Sequence, residues 1–363
     1  MKSEVSSSPN APQTPVDWSR VKRVLLIRLR SIGDTVLMTP CLQALKDFQP
    51  GVEIGVVTER AAAPVLEGHP LVDQLFVTAK TLTSRARLIP HLRRRRFDLA
   101  FNLHGGSTAM LLTALSGARH TFGFRDQRGA LLLNQPAPPA DVMLGRKTIH
   151  SVEQQLALLR FAGVPHPQQP RLSLAISFDA GATARTKLIN AGLPVASLTS
   201  ARFAIVAPGA AVESKRWGAR EFGAVIDHLN SRWQLDSIII AGPGQKQLAD
   251  EVAESSNSNP RVLPNVSLAE LMAVIGNFGR VFVGNDSGPM HIAAALGCPV
   301  VAVFGSSNPD VWHPWTNAVY RVIGGERGVA DSNVRGSIAG VEVHDVIASV
   351  DEVVESAATR AVS

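Results

Sequence analysis

Aromatic side chains are scarce in this chain. Tyrosine occurs once, and Phe, Trp and Tyr together make only 5% of its 363 residues. A surface that binds single strands by stacking bases needs more of them, and no helix-turn-helix or zinc-finger spacing is present. Cysteine is nearly absent too. Cys41 and Cys298 sit in apolar sequence without partners at metal-ligand spacing, which reads as two reduced thiols in core positions. His, Cys, Asp and Glu nowhere cluster as metal ligands do, so neither a metal nor a cofactor is expected. No apolar run approaches the roughly 20 residues of a membrane-spanning helix. The first 18 residues, rich in Ser and polar groups, lack the hydrophobic stretch of a signal peptide. Residues 1–18 are therefore read as a disordered tail, and the compartment as cytoplasmic.

What is present is a globular composition, 45% hydrophobic and 18% charged, with a net charge of +6. The sequence pI is about 9.7, which points to an anionic partner. With nucleic acid disfavoured, an acidic small molecule or an anionic lipid headgroup fits best. Residues 85–96 carry Arg85, Arg87 and the run Arg93, Arg94, Arg95 and Arg96. The run precedes the strand-like residues 97–101, so the segment is placed at the amino end of that strand, where it could touch a membrane surface.

The chain is organised around residues 281–304. A β-branched run stops at Gly284-Asn285-Asp286-Ser287-Gly288-Pro289, a small-residue helix follows to Gly297 and Pro299, and a second apolar strand begins at Val300. This strand-turn-helix-strand unit puts its turn at the carboxyl end of a parallel sheet. Asp286 or Ser287 can cap the helix, Pro289 suits its first turn, and the free N–H groups form an anion site apt for a diphosphate. His291 lies within one helical turn of them.

The same pattern recurs along the chain. Residues 24–27 empty into a glycine turn, Ser31-Ile32-Gly33-Asp34, before a helix; there Asp34 reads as an N-cap, as a carboxylate free to take a proton from a substrate hydroxyl, or as both. Residues 52–57, 72–77 and 97–101 read as further strands, the last followed by Asn102 and His104, and residues 136–139 with Arg146 and Lys147 as a loop. After a Pro- and Gln-rich stretch and weakly periodic residues 176–200, the pattern restarts at 202–207, with Gly209 and Lys215 as a small anion cradle. Lys215 would line the same sheet edge as Asp286. Two doubly wound α/β domains follow from this, facing one another across a cleft. The expected limits are 19–185 and 201–340, with a linker at 186–200 and a final helix in 341–363. The phosphate-loop Lys-Ser/Thr spacing and the three-glycine dinucleotide turn are both missing, which disfavours an ATPase and a nicotinamide enzyme.

Three segments together carry a resemblance: residues 28–34, residues 208–217 with Lys215, and Asn285-Asp286-Ser287-Gly288-Pro289-Met290-His291. In this order they resemble the glycosyltransferase family 9 heptosyltransferases. The resemblance implies a GT-B fold of two Rossmann-like domains, inverting metal-independent transfer, an ADP-heptose donor and an anionic glycolipid acceptor of the lipopolysaccharide core, with peripheral contact at the inner membrane. It implies Asp34 as base, Lys215 on the donor diphosphate, and Ser31 and Gly33 near the donor phosphates. Asp286, Ser287, Gly288, Pro289 and His291 would hold nucleotide and sugar with Gly209, and Val266 and Ser267 would flank the adenine. Arg30, Arg60, His104 and Arg125 are the acceptor-side candidates, and the final helix would pack back on the first domain. Ala210 and Ala211 depart from the hydroxyl residues some relatives carry before the lysine. A GT-B nucleotide-sugar epimerase or hydrolase, a transferase with other substrates, and a binding module without catalysis are the competing readings.

Overall fold

The computed structural model describes residues 16–193, 203–325 and 338–360. They form two compact units that part between Pro170 and Arg171. In the first, β1 (Arg23–Ile27), β2 (Glu53–Glu59), β3 (Gln74–Thr78), β4 (Leu99–Asn102), β5 (His120–Phe124) and β6 (Gln135–Ala137) lie in the order β3-β2-β1-β4-β5-β6. In the second, β7 (Phe203–Ala207), β8 (Ser237–Ile240), β9 (Arg261–Leu263), β10 (Gly279–Asn285), β11 (Val300–Phe304) and β12 (Tyr320–Gly324) lie in the order β12-β11-β10-β7-β8-β9. Every pairing is parallel. Counted within its own unit, each sheet has the Rossmann order 3-2-1-4-5-6, with the direction of winding reversed between β1 and β4 and between β7 and β10.

The central strands are apolar runs because helices cover both faces of a parallel sheet. Leu25, Leu26, Ile27, Ala100 and Phe101 are fully buried in the first unit, as are Ile205, Val206, Phe282, Val283, Val301 and Val303 in the second. The helices of the first unit are α1 (Ile32–Leu37), α2 (Thr39–Phe48), α3 (Leu82–Arg95), α4 (Ser107–Leu115), α5 (Ala140–Leu144) and α6 (Ser151–Phe161). Those of the second are α7 (Phe178–Asn190), α8 (Ala219–Trp233), α9 (Lys246–Glu254), α10 (Leu268–Phe278), α11 (Gly288–Ala295), α12 (Pro309–Trp312) and α13 (Val343–Arg360).

Five expectations change. The tail is shorter than residues 1–18: Trp18 begins a 3-10 turn, donates its indole N–H to Ala162 O at 2.7 Å and meets Phe48 edge to face. Residues 135–137 are a strand, because β6 is the sheet's outer edge and Pro136 needs no ladder N–H there. The weakly periodic stretch contains α7, capped by Ser177 and held to α10 by Lys187 and Glu270 at 2.7 Å, so residues 171–185 join the second unit. The helix of residues 343–360 packs on the second sheet rather than back on the first domain. Its Val346, Val350, Val353 and Val354 complete the core of Val225, Ile226, Val301 and Val303. The segment 85–96 is not all at the amino edge. Ser84 Oγ accepts from Ala79 N at 2.9 Å, pinning the start of α3 beside the carboxyl end of β3. Gly324 to Gly340 is a connection that the family resemblance does not cover, and of it residues 326–337 lie outside the described residues.

Asp227 on α8 anchors the turn after α9. Burial raises its pKa, but hydrogen bonds from Ser256, Ser258 and Asn257 outweigh that and hold it at about 2. A carboxyl depressed on folding stabilises the native state above its unfolded pKa and loses that contribution as pH falls through the folded value. Asp227→Asn is therefore expected to lower the urea midpoint at pH 7 and to flatten its decline between about pH 4 and 2. Urea titrations across that range check it, and parallel curves for the two proteins would refute it.

Candidate functional site

In each sheet the loops following the strands share the carboxyl edge. At the reversal point of the first sheet stands the turn after β1, where Ser31 is the N-cap of α1 and Asp34 its third residue. Ser31 Oγ accepts from Asp34 N at 3.5 Å, and Asp34 Oδ2 accepts from Ser31 N and Ser31 Oγ at 3.0 Å. Asp34 is thus half of a capping box rather than the cap itself. Its Oδ1 accepts from Arg28, whose guanidinium also donates to the carbonyl of Leu103. Arg28 is buried, and burial lowers its pKa against the opposing pull of Asp34. Gly33 is buried in the first turn of α1, and Arg30 is exposed.

His104 follows β4. Burial first, then the charges of Arg28 and Arg30, lower its pKa against the opposite pull of Asp34, leaving it neutral at pH 7. The first unit therefore gathers Arg28, Arg30, Ser31, Asp34 and His104 around one crevice. Arg60, after β2, and Arg125, after β5, are exposed and make no side-chain hydrogen bond or ion pair among the described residues. Arg85 joins this edge instead, donating to buried Glu59 at 3.1 Å and to Thr108 at 3.2 Å.

At the reversal point of the second sheet, Lys215 Nζ donates to Asp286 Oδ2 at 2.7 Å, and Ser307 Oγ donates to the same oxygen. The Lys215 side chain is 29% exposed and that of Asp286 only 5%. Asp286 does not cap α11. Ser287 occupies the N-cap without a side-chain cap bond, and its Oγ is buried with no hydrogen bond among the described residues. Gly288 and Pro289 open the helix and His291 is buried one turn in, while Gly209 follows β7 with the Gln245 side chain against it. Val266 is buried, and Ser267 caps α10, its hydroxyl accepting from Glu270 N at 3.3 Å.

Three contributors were given no role in the sequence reading. Arg28 and Ser307 reveal themselves only through their partners. Asn285 has a weak signal, an amide closing a β-branched run. Its Nδ2 donates to Pro208 O at 2.7 Å and its Oδ1 accepts from Trp217 N at 3.1 Å, so it ties both ends of the loop that carries Lys215.

Two units of this order, each with polar groups at its reversal point, define the GT-B class, and solved structures agree. The glycosyl transferase family 9 protein from Veillonella parvula has a TM-score of 0.79 at 24% identity, covering 92% of this chain and 97% of that one. Escherichia coli ADP-heptose lps heptosyltransferase II has a TM-score of 0.74 at 23% identity, covering 92% and 99%. Lipopolysaccharide heptosyltransferase 3 of Escherichia coli is 26% identical over 349 residues, 91% of this chain and 99% of the relative. The description glycosyltransferase family 9 (heptosyltransferase) matches residues 85–340. The chain belongs to that family and is a glycosyltransferase.

Gly305 tests how Lys215 is held. A Cβ there would stand 2.3 Å from Ser214 O and 3.3 Å from Lys215 Cα. Gly305→Ala is expected to push the 213–215 turn from Asp286 and to cost roughly 1–3 kcal/mol. Thermal melting reads the loss, and an unchanged midpoint would show that the turn yields freely.

Proposed function

We propose that this enzyme moves a heptose from ADP-heptose to a lipopolysaccharide inner-core acceptor with inversion. The observation that carries the residue assignment is the opposite polarity of its two ion pairs. In the first unit the buried member is the cation, Arg28, and the more open one is Asp34, with side chains 9% and 19% exposed. In the second the buried member is the anion, Asp286, and the more open one is Lys215. One unit thus offers a carboxylate and the other an ammonium. The names of relatives matched along almost their whole length support the donor and acceptor.

In this reading the acceptor hydroxyl oxygen attacks the anomeric carbon, and its proton passes to Asp34. The bond from the anomeric carbon to the diphosphate oxygen breaks, and ADP leaves with that electron pair. Lys215 spends one N–H on Asp286 and has two more for the departing phosphates. The N–H groups opening α11 add to this, and Asp286 serves by positioning Lys215, since a carboxylate by itself repels a diphosphate. Gly209, Ser287, His291, Val266 and Ser267 complete the donor side; Arg30, Arg60, His104 and Arg125 are assigned to the acceptor.

ADP release from ADP-heptose, measured with and without a core lipid, is the test. Release that requires the acceptor is expected, with Asp34→Asn slower by about 10²–10⁴ and Lys215→Ala by about 10²–10³. Release at the same rate without acceptor would instead establish a hydrolase.

A further inference from the structure

The turn between β5 and β6 continues past Arg125 into residues that the transfer reaction does not use. It reads Arg125-Asp126-Gln127-Arg128-Gly129-Ala130-Leu131-Leu132-Leu133. Ala130 and Leu133 face inward, each 6% exposed, in a small cluster with Met110 of α4. Leu131 and Leu132 between them face out, 101% and 56% exposed. A 3-10 turn spanning residues 130–132 enforces this, because side chains three apart share its inner face. Arg125 and Arg128 are exposed beside the leucines, and after Asp126 no acid occurs until Asp141. Leu111 on α4, the helix that supports the turn, is exposed as well.

Scattered single apolar residues on a surface need no explanation, but two adjacent leucines at a loop tip, flanked by arginines, form an amphipathic surface. Its occupant must take hydrocarbon and offer negative charge side by side, as an anionic bilayer does. The arginine run of α3 lacks this pairing, since past Leu82 that helix presents no large exposed apolar side chain among the described residues. The turn also begins at the acceptor side. The Gln127 side chain lies so close to Gly105, the residue after His104, that a Cβ there would stand 2.9 Å from its Nε2.

We infer that residues 128–132 are a membrane-docking loop, with Leu131 and Leu132 entering the acyl region of an anionic bilayer and Arg128 on its headgroups. The inference deepens the reading of a lipid-borne acceptor. Its test uses neither donor nor acceptor, so failure of either idea leaves the other measurable.

Flotation of the full chain with phosphatidylcholine vesicles, with or without a minority of phosphatidylglycerol, is the experiment. Binding to the anionic vesicles is expected, roughly tenfold above the neutral ones. Leu131→Asp combined with Leu132→Asp should lower it by roughly tenfold or more, and Arg128→Glu should weaken binding to anionic vesicles alone. Thermal melts confirm folding, and Leu131→Ser with Leu132→Ser replaces the first pair if it melts early. No flotation of the wild type, or flotation unaffected by the leucine changes, overturns the inference. So does sedimentation showing that the leucines hold two copies of the chain together while vesicles go unbound.

Discussion

Each sheet reverses its winding once, and that reversal constrains where polarity can exist. Elsewhere the central parallel strands are covered on both faces, so their side chains are apolar and any charge among them would need full compensation. Between β1 and β4, and between β7 and β10, the crossovers depart to opposite faces and leave a crevice at the carboxyl edge. The residues that close these four strands are Ile27, Asn102, Ala207 and Asn285. Both asparagines are fully buried and spend their amides on the adjoining loops. Asn102 accepts from the N–H groups of His104 and Gly105, and Asn285 braces the Lys215 loop. Strand ends that would otherwise leave unpaired backbone groups thus become rigid mounts for chemistry.

The doubly wound class was legible because its signal is repeated: apolar runs of strand length, each emptying into a turn with Gly, Asp or Ser. The stretch around Asp286 was legible for the same reason, together with Pro289 at the second position of α11. What sequence obscured was partnership. Nothing local separates Arg28 from a basic residue at a strand end, since its role depends on Leu103 and Asp34 meeting it in space. Ser307 is likewise an ordinary loop serine until β11 brings it to Asp286. The α7 stretch was hidden by its Ala, Gly and Thr content, which weakens helical periodicity although packing on α10 overrides it. Residues 135–137 were hidden by Pro136, whose cost vanishes at a sheet edge. The final helix shows a clear amphipathic stripe, but a stripe does not name its partner, and the core of the second unit claimed it.

The basic balance of the chain also resolves into distinct uses. Arg28 and Arg85 are withdrawn from solvent and paired with Asp34 and Glu59. Arg93 is tied to Leu115 O at 3.0 Å, so even the arginine run is partly scaffolding. Among the described residues, Arg30, Arg60, Arg125 and Arg128 remain as exposed cations of the first unit without a side-chain ion pair.

Ion pairing at both crevices follows one rule: bury one member, and the other is fixed without losing access to solvent. Burial raises the penalty for separating the pair, because a stranded charge in low dielectric costs far more than an exposed one. The pair therefore behaves as a positioning device whose sign is chosen by which partner is buried. Arg28 carries a second bond, to Leu103, and Asp286 a second bond, from Ser307, so each buried member is held from two sides. Exchanging the buried and open partners would keep the net charge, yet in the proposed reading would present the wrong sign to a hydroxyl proton and to a leaving diphosphate. In the proposed mechanism it is the polarity of burial, rather than the presence of charged residues, that suits each crevice to its part in group transfer.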